Sequence, residues 1–277
     1  MIDLNAKALD LRRKIVKTCY LGRAGHIPPS FSALDIMTAL YFGGILKYDP
    51  KNPGDENRDR FILSKGHAAL ALYNVLCEAG FFPRSELNTF CKPGTIYGAH
   101  PTPHIKGVEA ATGALGHGLC FGVGEALSAR MNGKNWLTYV ITGDGECQEG
   151  SNWEAAMAIS KFHLTNLIWI IDRNKWQAGG KVSEVMDLEP FADKLKAFGF
   201  DVKDIDGHDY DQLIKTLKID RNNLPSKPVA VIANTHKGKG VPFIEDKKEW
   251  HSKIPSNDEF AVIIEQLGLT KEEFEAL

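Results

Sequence analysis

No stretch of this 277-residue sequence stays apolar for the roughly 20 residues that a bilayer-crossing helix needs. The opening Met1-Ile2-Asp3-Leu4-Asn5 offers no signal-peptide core. Both absences point to a cytoplasmic protein without a membrane partner. Neither sign of charge dominates: the formal net charge is −2, with 25% charged and 43% hydrophobic residues. That balance gives no reason to expect nucleic acid or an anionic surface. Five cysteines, an odd number without paired spacing, fit reduced thiols and exclude a disulfide framework. No CxxC or HExxH argues for zinc, and no G-x-G-x-x-G follows a strand as a Rossmann-type nucleotide domain requires. Repeats, low-complexity tracts and an interdomain linker are all missing. Residues 1–277 therefore read as one domain, long enough to bury a substantial core.

What is present is an alternation of short apolar runs and helical periodicities. Leu4, Ala8, Leu11, Ile15 and Cys19 recur at helical steps, and Gly22 and Gly25 end that helix. A second helix starts at Ser30-Phe31-Ser32 and reaches Tyr41. Strands are expected at 60–63, 136–141, 167–171, 200–203 and 229–233. Helices are expected at 66–78, 112–130, 149–162, 188–197, 210–218 and 258–266. The intervals 47–60, 89–107 and 237–255 read as loops, and the sequence ends in an acidic tail. Strands alternating with helices imply a doubly wound, mainly parallel α/β sheet with helices on both faces. Cys19, Cys77 and Cys120 lie in apolar helical stretches and read as core. Cys147 sits beside a glycine turn and reads as the thiol open to oxidation.

That turn is Gly143-Asp144-Gly145, with Asn174 thirty residues after Asp144. Each polar residue follows an apolar strand, so carboxylate and amide come to the C-terminal ends of two adjacent parallel strands. Ligands bind at that edge in open α/β sheets. A carboxylate, an amide oxygen and a backbone carbonyl next to the Asn suit Mg²⁺, which completes its shell with phosphates. The flanking glycines allow a tight turn and close approach of a diphosphate. A plain strand-to-helix turn with a capping Asp is the alternative; the full spacing, in its strand context, favours the metal–diphosphate site. His26, His67, His100, His117 and His251 lie in or beside glycine-containing loops at the same edge, where imidazole suits proton transfer and phosphate contact.

Gly143-Asp144-Gly145 and Asn174 resemble the thiamine diphosphate (ThDP) motif. Gly25-His26, Leu63-Ser64-Lys65-Gly66-His67, Gly98-Ala99-His100-Pro101, Thr112 to Gly118, Gln148-Glu149-Gly150, Asp172-Arg173-Asn174-Lys175, Lys237-Gly238-Lys239-Gly240 and Trp250-His251 follow the order of the transketolase family. The likeness runs from about Lys7 to Pro255, within that family's N-terminal, diphosphate-binding third. It implies ThDP with Mg²⁺, for which Ca²⁺ or Mn²⁺ can substitute. It implies Asp144, Asn174 and the backbone carbonyl of Trp176 as metal ligands. It implies cofactor contacts from His67, His251, Gly143, Gly145 and the turn Gly113-Ala114-Leu115, whose backbone N–H groups suit a diphosphate. His26, His100 and His251 would handle substrate hydroxyls beside the reactive carbon. His117 stands behind that set. Glu149 and Glu154 would meet a second copy across a two-fold interface, where buried acids need partners or protons; an exposed helix pair is the plainer reading.

The resemblance also shows what is missing. The family's pyrimidine-binding and C-terminal domains have no room after Pro255. The expectation is a split transketolase, in which this chain joins a partner chain carrying those domains, in an α2β2 assembly. It would move a two-carbon ketol unit from a ketose or ketose phosphate to an aldose. Departures lie at Ile27-Pro28-Pro29, read as a fixed loop bordering the cleft, at Trp176-Gln177-Ala178-Gly179-Gly180, and at Ser252-Lys253. They put ordinary pentose phosphates in question and suggest an unusual sugar. Alternatives are another ThDP enzyme (1-deoxyxylulose-5-phosphate synthase-like, or the alpha chain of a 2-oxoacid dehydrogenase) and a non-catalytic protein of the ThDP fold.

Overall fold

The computed structural model of the chain describes residues 2–277. Five parallel strands form the central sheet: β1 Arg60–Leu63, β2 Thr138–Gly143, β3 Leu167–Arg173, β6 Asp201–Asp206 and β7 Val229–Asn234, in the order β1-β2-β3-β7-β6. Between β3 and β6 a two-residue hairpin, β4 Trp176–Gln177 with β5 Gly180–Lys181, stands apart from the sheet. The registers Gly143↔Asp172 and Arg173↔Asn234 bring the ends of β2, β3 and β7 level. The apolar runs are continuous because both sheet faces are covered.

Alternate residues enter two separate cores. Tyr139, Ile141, Ile168, Ile170 and Val231 pack with α1 (Leu4–Gly22), α2 (Ile27–Phe42), α3 (Ala69–Glu78), α8 (Tyr210–Leu217) and α9 (Asn257–Gln266). Val140, Trp169, Ile171 and Ile232 pack with α4 (His117–Met131), α5 (Gly150–Lys161) and α7 (Phe191–Ala197). The period-two alternation of a strand is what divides them. At the sheet's far edge, β6 turns Lys203, Asp204 and Asp206 to solvent, and Asp201 pairs with Lys203 at 2.9 Å.

Local chemistry sets the boundaries. Asp3 caps α1, accepting from the N–H groups of Asn5 and Ala6, and Arg23 closes it in the left-handed region at φ 48°. Ser256 and Glu259 form a capping box on α9. Three expectations change. Ile27-Pro28-Pro29 is the buried first turn of α2, not a loop, because proline's fixed φ and missing N–H suit a helix start. Residues 112–116 lie outside α4, which begins only at His117, because Gly116 sits at φ 84°. The acidic tail folds into α10, Lys271–Ala276, capped by Thr270 and Glu273; a short α6, Val182–Val185, also went unforeseen.

The cysteines exchange roles. Cys120 is exposed, Cys77 half-buried and Cys147 buried. Cys147 donates to the Gly143 carbonyl at 3.2 Å, and burial pushes its thiol well above the usual range. The glycine turn folds inward under α5 and takes Cys147 with it. Alkylation of the native chain is therefore expected at Cys120, with Cys147 modified only after denaturant; peptide mapping after iodoacetamide checks this, and early Cys147 labelling contradicts it.

Candidate active site

Four strand ends supply the site: the segment after β1 with Lys65 and His67, Asp144 after β2, Asn174 after β3, and Lys237 beyond β7. Lys65, His67, Gly113, Leu115, Asp144, Glu149, Asn174, Trp176 and His251 line one cleft of about 350 Å³. A neighbouring hollow of about 490 Å³ shares Asp144 and Trp176 and runs past Arg173 and Lys181.

Asp144 is only 3% exposed. Its carboxylate accepts the N–H groups of Gly145 at 2.9 Å and Lys175 at 2.7 Å. Burial first, then the charge of Asp172, pushes its acid up to about 7. No cationic side chain pairs with it among the described residues. Beside it, Asp172 is fully buried and is the hub of a polar knot. It accepts from Lys65 Nζ, from Thr235 Oγ1 and, at 2.6 Å, from Ser32 Oγ. Asn174 Nδ2 faces the same carboxylate and Ser32 at 3.5 Å. The amide nitrogen is thus held inward, and the oxygen is the free end, engaged only by the N–H of Trp176 at 3.0 Å. A buried carboxylate without a cation, together with an oriented amide oxygen, fits a hard divalent ion.

The glycine turn is tied to this base. Thr112 Oγ1 donates to the Leu63 carbonyl at 2.7 Å, and a Cβ on Gly66 would stand 1.9 Å from the Thr112 carbonyl. Glu146, also buried, accepts the N–H groups of Gly116 at 2.9 Å and Gly143 at 3.0 Å, and Ser64 Oγ. One carboxylate thereby joins the loops after β1 and β2 to the start of α4. Among the predicted residues, Gly113 and Ala114 are exposed and Leu115 half-buried; Glu149 and Glu154 are exposed on the surface at α5. His117 is exposed, its Nδ1 3.2 Å from the Leu115 carbonyl.

Three of the predicted histidines form a triangle. His26 and His67 lie 5.6 Å apart, His26 and His251 5.8 Å, and His67 and His251 5.5 Å, between ring centroids. His100 stands outside it, exposed, against Gly113. Two buried lysines, Lys65 and Lys237, flank the triangle. Burial, His100, Lys237 and Lys65 hold His26 down to about 4. Burial, Lys237, His26 and Lys65 hold His251 down to about 3. Burial and Lys65 hold His67 well below the usual imidazole range. All three rings are neutral at pH 7.

The sign of the resulting pH effect follows. An unfolded histidine binds a proton near pH 6.5, whereas His251 in the fold does not until about 3. Stability from this group is complete above pH 6.5 and is lost as pH falls toward the folded value. The slope of melting temperature against pH between about 4 and 6.5 is expected to be shallower in His251→Gln than in the wild type. Equal slopes would show that His251 is protonated in the folded chain.

Sequence reasoning gave no role to Lys65, Glu146, Asp172 or Lys237, though all four stand inside or beside quoted motifs. Charged residues next to β1, β2 and β7 and within β3 were the available signal.

The C-terminal edge of this sheet thus gathers Asp144, Asn174, His67 and His251 around one cleft. The family described as "Transketolase, thiamine diphosphate binding domain" matches residues 9–276. An apulose-4-phosphate transketolase subunit from Phocaeicola vulgatus is 42% identical over 265 residues, covering 95% of this chain and 93% of that protein. The 6-deoxy-6-sulfo-D-fructose transketolase subunit of Clostridium sp. is 39% identical over 252 residues, 91% of each. The transketolase crystal structure from Campylobacter jejuni superposes with a TM-score of 0.88 at 29% identity, covering 99% of this chain and 44% of that one. The chain belongs to the transketolase family, as a transketolase-like enzyme subunit holding its thiamine diphosphate-binding part. It spans less than half the length of that solved transketolase.

Proposed function

We propose that this chain is the N-terminal subunit of a split, ThDP- and Mg²⁺-dependent transketolase that moves a two-carbon ketol unit from a ketose or ketose phosphate to an aldose. The observation that carries the reading is the meeting of Asp144 and Asn174 at adjacent strand ends, in a cleft that His67 and His251 also line. Residues 1–277 form a single diphosphate-binding domain; the pyrimidine-binding and C-terminal domains belong to a partner chain. Both relatives described above, each matched over about nine-tenths of its own length, are named as subunits, which supports such a partner.

Asp144, Asn174 and the carbonyl of Trp176 would hold Mg²⁺, or Ca²⁺ or Mn²⁺ in its place. His67 and the backbone of Gly113, Ala114, Gly143 and Gly145 would hold the diphosphate, with Leu115 against the pyrimidine ring. When bound, ThDP supplies the nucleophilic carbon and the electron sink for breaking and making the C–C bond. The protein's own share is orientation and proton transfer. His26, His100 and His251 would exchange protons with donor and acceptor hydroxyls, and neutral rings can do so near pH 7. Glu149 and Glu154, both exposed, would face a second copy in an α2β2 assembly.

Both relatives act, by their names, on sugars other than the common pentose phosphates. With Pro28-Pro29 building a buried helix start and Trp176 at the cleft wall, a modified sugar is the expected substrate here. The test is ketol transfer by this chain co-expressed with a candidate partner, with ThDP and Mg²⁺. Xylulose 5-phosphate and ribose 5-phosphate are compared with branched and sulfonated ketoses. Activity is expected only with the partner present. Transfer by the chain alone contradicts the split, and a complex that binds no ThDP contradicts the whole reading.

A further inference from the structure

We propose that Lys237 is the positioning residue for His251: its ammonium donates to imidazole Nδ1 and fixes the neutral Nε2–H tautomer, making His251 a hydrogen-bond donor to the cleft. Lys237 Nζ lies 3.0 Å from His251 Nδ1. An ammonium has three donors and no acceptor, so the Nδ1 that it meets carries no proton, and a neutral ring must then carry its proton on Nε2.

His251 is the one hydrogen-bond partner of the Lys237 ammonium among the described residues. The lysine is 1% exposed, and no carboxylate pairs with its side chain among the described residues. Asp246 takes only its main-chain N–H, at 3.0 Å. Burial and Lys65 push its ammonium down to about 8, which leaves it largely charged at neutral pH. The backbone behind it is anchored in steps. His236 donates its N–H to His208 Nε2 at 2.9 Å, and His208 Nδ1 lies 2.6 Å from Asp35. Arg12 at 2.7 Å and Tyr210 at 3.0 Å hold Asp35. On the other side, the N–H of Gly238 donates to the Pro28 carbonyl at 3.0 Å, in a left-handed turn at φ 85°. The main chain that carries the lysine is therefore fixed on both sides.

Facing His251 are His26, His67, Lys65 and Lys237, all neutral or positive. None offers an acceptor charge that would favour an imidazolium. A division of labour follows. His251 gives a hydrogen bond from Nε2 without losing its proton, whereas His26, whose buried Nδ1 has no partner in the protein, has no such constraint on its tautomer. This deepens the function proposed above and rests on its placing His251 at the cofactor cleft.

Nitrogen-15 NMR of the histidine-labelled full chain tests it, with the His251 signals assigned from their loss in His251→Gln. The wild type is expected to show a protonated Nε2 and a bare Nδ1, unchanged down to about pH 5. In Lys237→Met the ring should exchange between tautomers and titrate more than about one unit higher, a tenfold change in its protonation constant. Lys237→Arg should restore the wild-type tautomer. A protonated Nδ1 in the wild type overturns the proposal, and that spectrum decides even if Lys237→Met fails to fold. So does an unchanged tautomer and midpoint in folded Lys237→Met. Mg²⁺-dependent ThDP binding, measured separately by calorimetry on the assembled complex, reports on the proposed function alone.

Discussion

Asp144→Ala is expected to abolish cofactor binding while sparing the fold. The carboxylate touches only two main-chain N–H groups, of Gly145 and Lys175, and joins no ion pair among the described residues. Its removal takes away a buried acid that burial already pushes up to about 7, so the apo chain has little to lose. On the proposed function, a bound metal ion would lose its charged ligand. Supporting residues around metal sites typically cost roughly 10- to 100-fold in affinity, and a direct anionic ligand should exceed that. Titration calorimetry of ThDP with Mg²⁺ on the complex with its partner should show binding weaker by more than about 100-fold. The apo melting temperature should stay within a few degrees of wild type. Binding within threefold of wild type would remove Asp144 from the metal site.

Asp172→Asn is expected to act in the opposite way, through the fold first. Lys65 and Asp172 are 1% and 0% exposed at their side chains. Neutralising the acid strands a buried ammonium, and breaking such a pair from one side costs about 3–5 kcal/mol. In a domain of this size the melting temperature should fall by about 10 °C. Asparagine keeps only one acceptor oxygen, so Ser32, Thr235 and Asn174 can no longer all be held, and Mg²⁺-dependent binding should weaken even where the variant remains folded. The double variant Lys65→Met/Asp172→Asn separates the causes. Recovered stability without recovered binding is the expected pattern, because the stranded charge is gone but the amide of Asn174 remains unheld. A double variant no more stable than Asp172→Asn would show that the ion pair is not the source of the loss.

The strands were legible because their apolar runs are continuous and bounded by polar residues. Arg60–Leu63 matches the expected segment, and β2, β3, β6 and β7 run on by one to three residues at their C-terminal ends. Those extra residues approach or include the functional ones, since a strand reaching a ligand edge changes from apolar to polar while its pairing continues. Asp144 and Asn174 could be found from spacing alone. Asp172 could not, although it is two residues from Asn174: its partners come from α2, from the segment after β1 and from the segment after β7, more than 200 residues apart in sequence. Glu146 was hidden for the same reason. An acid one residue past the GDG turn looks like a solvated helix start until Ser64 and Gly116 are folded over it. Cys19 is buried as expected, but Cys120 was misjudged because the helical pattern does not reveal which face of α4 is left open. The short hairpin β4–β5 has too few residues to carry any period.

The outer strand β6 has its own consequence for a chain that, on the proposed function, joins another. An unpaired strand edge invites a further strand, and a chain made apart from its partner is exposed to that hazard for as long as it waits. Here β6 meets it with Asp201, Lys203, Asp204 and Asp206 in a run of six residues. A second edge brought alongside would have to desolvate those charges. This edge of the sheet is thereby guarded against growth by strand addition. On the proposed function, a free chain would be guarded at this edge against pairing with copies of itself before its partner arrives.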